Sequence, residues 1–128
     1  MELVRERMSA PPLTVQVDTS YQQALRLMDK QRLHHLPVVN GAGQLLGIVT
    51  ERDLLLAASH YGMADIEVAE IMHKGAVTAT PAMTIAQAAG LLLQNHIGGL
   101  PVVDEQQQVV GVITETDLLR AFVEMLGQ

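Results

Sequence analysis

The chain is one motif written twice. Leu36-Pro37-Val38-Val39 returns as Leu100-Pro101-Val102-Val103, and Gly47-Ile48-Val49-Thr50-Glu51-Arg52-Asp53-Leu54-Leu55 returns as Gly111-Val112-Ile113-Thr114-Glu115-Thr116-Asp117-Leu118-Leu119. The spacing is 64 residues throughout, and it also relates Val4 to Val68, Met8 to Met72, Thr14 to Thr78 and Ala24 to Ala88. No gap is needed. The period is longer than most solenoid units and there are two copies, so the pattern predicts a pseudo-two-fold pair with a shared core. The division falls into 1–64 and 65–128. Whatever site one half builds, the other half is expected to build in its own version.

Composition narrows the partners. A chain of 128 residues buries roughly two thirds of its surface as one compact module. It has one Phe, no Trp and a net charge of −6. Single-stranded nucleic acid needs aromatic platforms, and a phosphate backbone needs a basic face. The eight basic residues are scattered, so no nucleic-acid partner is expected, although one small anion could find a local Arg or Lys. With no Cys there is no disulfide framework, thiol nucleophile or thiolate metal site. The charged start, Met1-Glu2-Leu3-Val4-Arg5-Glu6-Arg7, lacks the apolar stretch of a signal peptide, and no apolar run approaches a membrane span. The reading is a soluble, cytoplasmic protein with no membrane partner.

Each half has the same order of elements. An amphipathic lead-in ends at Met8 or Met72, and a short strand follows at Leu13 to Val17 or Ala76 to Thr80. Capping-box spacings, Ser20-x-x-Gln23 and Thr84-x-x-Gln87, open helices predicted over Tyr21 to Arg32 and Ile85 to His96. Two β-rich runs come next. His35 to Val39 and Leu45 to Thr50 flank the turn Asn40-Gly41-Ala42-Gly43, whereas the second-half loop, Asp104 to Gln108, has no Gly. A last helix begins after Thr50 or Thr114. Leu54 to Ala58 and Leu118 to Leu126 are apolar nearly all round, which predicts burial on two sides, one of them against a second subunit.

The best candidate for chemistry is the repeated Gly-h-h-Thr-x-x-Asp, with h apolar, at a strand-to-helix junction. Thr50 and Asp53, like Thr114 and Asp117, suit helix capping and the helix dipole. The same geometry suits a ligand. Free N–H groups at a helix start take phosphate, a Thr hydroxyl adds a bond, and an Asp one turn on can accept both ribose hydroxyls. Gly47 and Gly111 admit a close approach to the strand or ease its twist. His34 and His35 point to opposite faces of a strand and make poor metal ligands, but one can meet an anion in a cleft. Their counterparts are Gly98 and Gly99, so the two sites should be unequal. His60, His73 and His96 lie apart and read as surface residues. Met8 and Met72 recur in register and share a packing role. No nucleophile elbow, His-Glu-x-x-His or P-loop occurs, which argues against an enzyme.

Taken in order, Met-x(4)-hydrophobic-Thr, an Ala-Leu-x-Leu-Met helix, Leu-Pro-Val-Val and Gly-h-h-Thr-x-x-Asp-Leu-Leu resemble the CBS domain, named for cystathionine β-synthase, over about residues 4–126. Two in tandem resemble a CBS pair, or Bateman module. The resemblance implies an α/β (α+β) fold, with tandem β-α-β-β-α repeats about a pseudo-two-fold axis and small sheets flanked by helices. It implies adenosine-containing ligands (AMP, ADP, ATP, S-adenosylmethionine or NAD) in clefts between the halves, and no catalytic residue, metal or resident cofactor. Thr50 and Thr114 would meet phosphate, and Asp53 and Asp117 ribose. Thr14, Val15, Thr78 and Ala79 would meet the base. His34, His35, Leu36, Pro37, Gly98, Gly99, Leu100 and Pro101 would line the cleft. The expected function is a stand-alone sensory module, a homodimer that signals to an effector protein. The alternative is a structural dimerisation module with no small-molecule ligand.

Overall fold

The computed structural model describes residues 2–127, and the alternation read from the sequence becomes four helices of equal length around small sheets. In the first repeat β1 (Val15–Gln16), α1 (Tyr21–Gln31), β2 (His35–Val39), β3 (Leu45–Thr50) and α2 (Glu51–Tyr61) follow in order. In the second come α3 (Ile85–Asn95), β4 (Gly99–Val103), β5 (Val109–Thr114) and α4 (Glu115–Met125). The lead-ins form 3-10 turns at Val4–Glu6 and Val68–Glu70.

Local sequence accounts for most of these limits. The Ser20 and Thr84 side chains accept the N–H groups of Gln23 and Gln87, whose own side chains reach back to the caps. Both helices close on a left-handed residue, Arg32 at φ 56° and His96 at φ 55°, one step earlier than the pattern suggested. The loop without Gly adopts the same turn as its counterpart. Asn40 Oδ1 accepts the N–H groups of Ala42 and Gln44, and Asp104 Oδ1 accepts those of Gln106 and Gln108. Gln107 takes φ 65° where the first repeat has Gly43 at 82°. An Asx acceptor at the start of the turn defines it in both halves.

Both expected first strands are cut short, Leu13 to Val17 forming only as Val15–Gln16. Val15 and Gln16 pair in parallel with Val38 and Val39, but in the second repeat the ladder shrinks from Ala76–Thr80 to one bridge, Ala79 with Val102. Pro81 stands where the first repeat has Val17, and without an N–H it cannot extend the ladder. The remaining pairing is antiparallel and in matched register, His35 with Thr50 and Gly99 with Thr114, with an irregularity at Val38/Val39 and at Val102/Val103.

The chain forms two compact units, 13–76 and 1–12 with 77–128, whose limits are offset from the repeat limits. The cause is the lead-ins. Residues 68–73 stay with the first repeat, where His73 bridges Ile48 at the open edge of β3. Residues 3–9 join the second, where Ser9 bridges Val112 at the edge of β5 and Leu3 bridges Thr84. The open edges of β3 and β5 are thereby each bridged at one position. Gly47 and Gly111 permit it. A Cβ on Gly47 would stand 2.8 Å from Met72 Sδ and 2.8 Å from the His73 carbonyl, and one on Gly111 2.5 Å from Met8 Sδ and 3.0 Å from the Ser9 carbonyl. Close approach, rather than strand twist, is what these glycines provide, and it explains the recurrence of Met8 and Met72.

The cores are aliphatic. Tyr21, Ala24, Met28, Leu36, Val38, Val49, Leu54 and Val68 fill one, and Val4, Ala79, Ala88, Leu92, Leu100, Val102 and Ile113 fill the other. The segment after α2 is held in place, because Gly62 O accepts the Tyr21 hydroxyl and Gln22 Nε2 reaches Ala64 O at 3.2 Å. Among the described residues no helix is long and apolar enough to cross a membrane.

Candidate functional site

The topology gathers most of the candidate residues of each repeat at one end of its sheet. β2 begins at that end, antiparallel β3 finishes there and α2 starts there, while parallel β1 joins β2 only at Val38 and Val39, level with Gly47. His34, His35, Thr50 and Asp53 are thus neighbours in the first unit, with Leu36 and Pro37 buried behind, whereas Thr14 and Val15 lie further along the sheet, because Val15 pairs with Val38 rather than with His35. The His34 carbonyl accepts the Glu51 N–H at 2.9 Å, tying the lead of β2 to the first turn of α2. The second unit repeats the arrangement. Gly98 O accepts the Glu115 N–H at 3.0 Å, and Thr78, Ala79, Gly99, Leu100, Pro101, Thr114 and Asp117 fall in matching places.

Both Thr–Asp pairs are formed as caps. Thr50 Oγ1 donates to Asp53 Oδ2 at 2.7 Å, the Thr50 N–H donates to the same oxygen at 3.2 Å, and the Asp53 N–H donates to Thr50 Oγ1 at 3.2 Å. In the second repeat the Thr114 N–H and Oγ1 reach Asp117 Oδ2 at 2.9 and 3.2 Å, and the Asp117 N–H reaches Thr114 Oγ1 at 3.5 Å. The capping reading is therefore satisfied on its own terms.

The two carboxylates differ in their further partners. His73 Nε2 lies 3.0 Å from Asp53 Oδ2, while Arg120 Nη1 lies 3.6 Å from Asp117 Oδ1. The Asp53 side chain is 20% exposed and that of Asp117 9%. Burial pushes the Asp53 carboxyl up, but the hydrogen bonds from Thr50 and His73 outweigh it and hold the group below its ordinary 3.8. His73 is exposed, as the sequence suggested, yet it belongs to this cluster. The signal was its place 64 residues from Ser9, on the segment that bridges β3. His34 Nδ1 lies 3.1 Å from Glu51 Oε1, so the histidine placed for an anion already faces a carboxylate. Among the described residues no cluster of three acidic or histidine side chains is arranged to hold a metal.

Known proteins carry the same pattern. The CBS domain family matches residues 4–60 and 68–124. A CBS domain-containing protein of Dictyostelium discoideum is 33% identical, covering 97% of this chain and 93% of its own. The L-aspartate semialdehyde sulfurtransferase of Methanocaldococcus jannaschii is 34% identical over 94% of this chain, which spans 23% of that enzyme. Among solved structures, the CBS domain pair of protein MJ0100 in complex with 5′-methylthioadenosine and S-adenosyl-L-methionine superposes with a TM-score of 0.91 at 31% identity, covering 98% of each chain. CBSX2 in complex with AMP gives a TM-score of 0.84 at 26% identity over 98% of each chain. With the motif present twice and both copies matched, the chain belongs to the CBS domain family, as a tandem pair of such domains.

Proposed function

We propose that this CBS pair is a regulatory module without catalytic activity of its own. It takes an adenosine-containing ligand at the sheet ends and passes the change to an effector protein. The observation that carries this reading is the placing of Asp53 and Asp117 one turn into a helix, beside a Thr hydroxyl and the start of a β-strand. Such a carboxylate suits ribose hydroxyls, and the adjoining helix start suits phosphate. Relatives of the same fold described with 5′-methylthioadenosine, S-adenosylmethionine or AMP support the ligand class. A ligand acts on such a module only through different affinities for two of its states.

The test is thermal unfolding with AMP, ADP, ATP, S-adenosylmethionine and NAD. A ligand at a hundred times its dissociation constant stabilises by about 2.7 kcal/mol. Asp53→Ala and Asp117→Ala should each weaken binding while the protein stays folded. If no ligand shifts unfolding and both substitutions only lower the melting temperature, the sites are caps and nothing more. That outcome would favour the second reading, a ligand-free dimerisation module, which rests on the complete capping of both pairs and on the open apolar faces of α2 and α4. In either reading the module forms a homodimer through those helices.

A further inference from the structure

We propose that His73 competes with the ribose hydroxyls of the ligand for Asp53, which makes the first-repeat site a weaker ribose binder in acid than at neutral pH. The inference rests on the reading of Asp53 as a ribose acceptor. Three donors converge on a single oxygen, Asp53 Oδ2: the Thr50 hydroxyl, the Thr50 N–H and His73 Nε2. A carboxylate oxygen has two lone pairs, so Oδ2 is saturated, and a ligand that sets its two ribose hydroxyls on the two oxygens of this carboxylate must displace a donor from Oδ2. Two of the donors are fixed by the helix cap. The third is not. The His73 ring is 64% exposed, while its backbone is locked to Ile48 by bonds of 2.8 and 3.0 Å. The ring can therefore swing off Asp53 without loss of the edge bridge.

Facing a carboxylate, Nε2 must carry its proton, so the ring is either the neutral Nε2–H form or the imidazolium. The cation holds the carboxylate more tightly and offsets its charge, and imidazole changes charge in the range between acid and neutral pH. Asp53 stays ionised through that range, being held below 3.8. Other charges around His73 do not take its place. Glu51 on α2 faces His34, Glu70 on the 3-10 turn caps Glu67 N–H, and Arg52 and Lys74 are exposed. The second unit has no such device. Ser9 occupies the position of His73, and the group beside Asp117 is the guanidinium of Arg120.

Calorimetry with adenosine, which has the ribose and no phosphate, tests this on the full chain. Asp117→Asn silences the second carboxylate while keeping the shape of its cap. In that background adenosine should bind roughly tenfold more tightly at pH 8.0 than at pH 5.5, the scale of one charge-assisted hydrogen bond. Adding His73→Ser, the residue of the other repeat, should raise affinity at pH 5.5 at least to the pH 8.0 level and flatten the profile. His73→Gln, a neutral donor of similar reach, should also flatten it. Equal affinity with and without His73 at both pH values, or weaker binding by His73→Ser, would overturn the proposal. In that case loss of binding in Asp53→Ala would show that the ribose reading still stands. No adenosine binding by any of these proteins would overturn both.

Discussion

At the scale of single residues, Asp53 does two things at once. It completes the cap of α2 and carries a partner from twenty residues away, His73. Its carboxyl is held below the ordinary value, so the ionised form is the one the fold prefers. A depressed folded-state value adds stability that is present above 3.8 and is lost as pH falls through the folded-state value. Asp53→Asn removes that contribution. The melting temperature of the wild type should therefore exceed that of Asp53→Asn most at pH 6–7, with the gap closing as pH is lowered toward 3. A gap that stays constant across thermal melts from pH 7 to 3 would mean that the carboxylate charge contributes nothing to the fold.

At the scale of elements, the decisive contact is a lead-in laid on the edge of a strand. It needs Gly47 and Gly111, because the segments carrying Met72–His73 and Met8–Ser9 come closer than any Cβ allows. A methionine can bend aside, but a carbonyl engaged in a backbone bridge cannot. Gly47→Ala, with the His73 carbonyl at 2.8 Å, should be the more costly, and Gly111→Ala, with the Ser9 carbonyl at 3.0 Å, somewhat less so. Losses of about 1–3 kcal/mol are expected for overpacking of this kind. Gly90 makes the contrast. It lies exposed inside α3 with nothing within 4 Å of a built Cβ, so Gly90→Ala should stabilise by about 0.5–1 kcal/mol. Urea midpoints of the three variants check the order, and an equal effect at Gly47 and Gly90 would refute the close-approach account.

At the scale of the whole molecule, the apolar surface left open is concentrated on the last helix of each repeat. Leu55 and Leu56 on α2 are 53% and 59% exposed, and Leu119, Phe122, Val123 and Met125 on α4 are each more than half exposed. Beside α4 an apolar groove of about 420 Å³ is lined by Ile85, Ala89, Leu118, Phe122 and Met125. Surface of this kind is rarely left to water, and closed two-fold dimers are the commonest way to cover it. The proposed homodimer predicts that Leu56→Glu and Phe122→Glu convert a dimer into monomers or aggregates in light scattering. A wild type that is monomeric at micromolar concentration would refute it.

The sequence by itself determined whatever depends on neighbours along the chain. Ser20 with Gln23 and Thr84 with Gln87 marked helix starts because a cap bonds three residues on, and the apolar runs 35–39 and 45–50 marked strands to the residue. The Thr–Asp pairs were legible for the same reason. Pro81 was visible too, but its effect was not, since a missing N–H matters only once a partner strand is in place. What remained was decided by tertiary structure. Nothing local assigns residues 3–9 to the compact unit of the second repeat, or turns His73 toward Asp53 rather than water. Those contacts form because the open edges of β3 and β5 must find backbone partners, and only the folded chain brings those partners within reach.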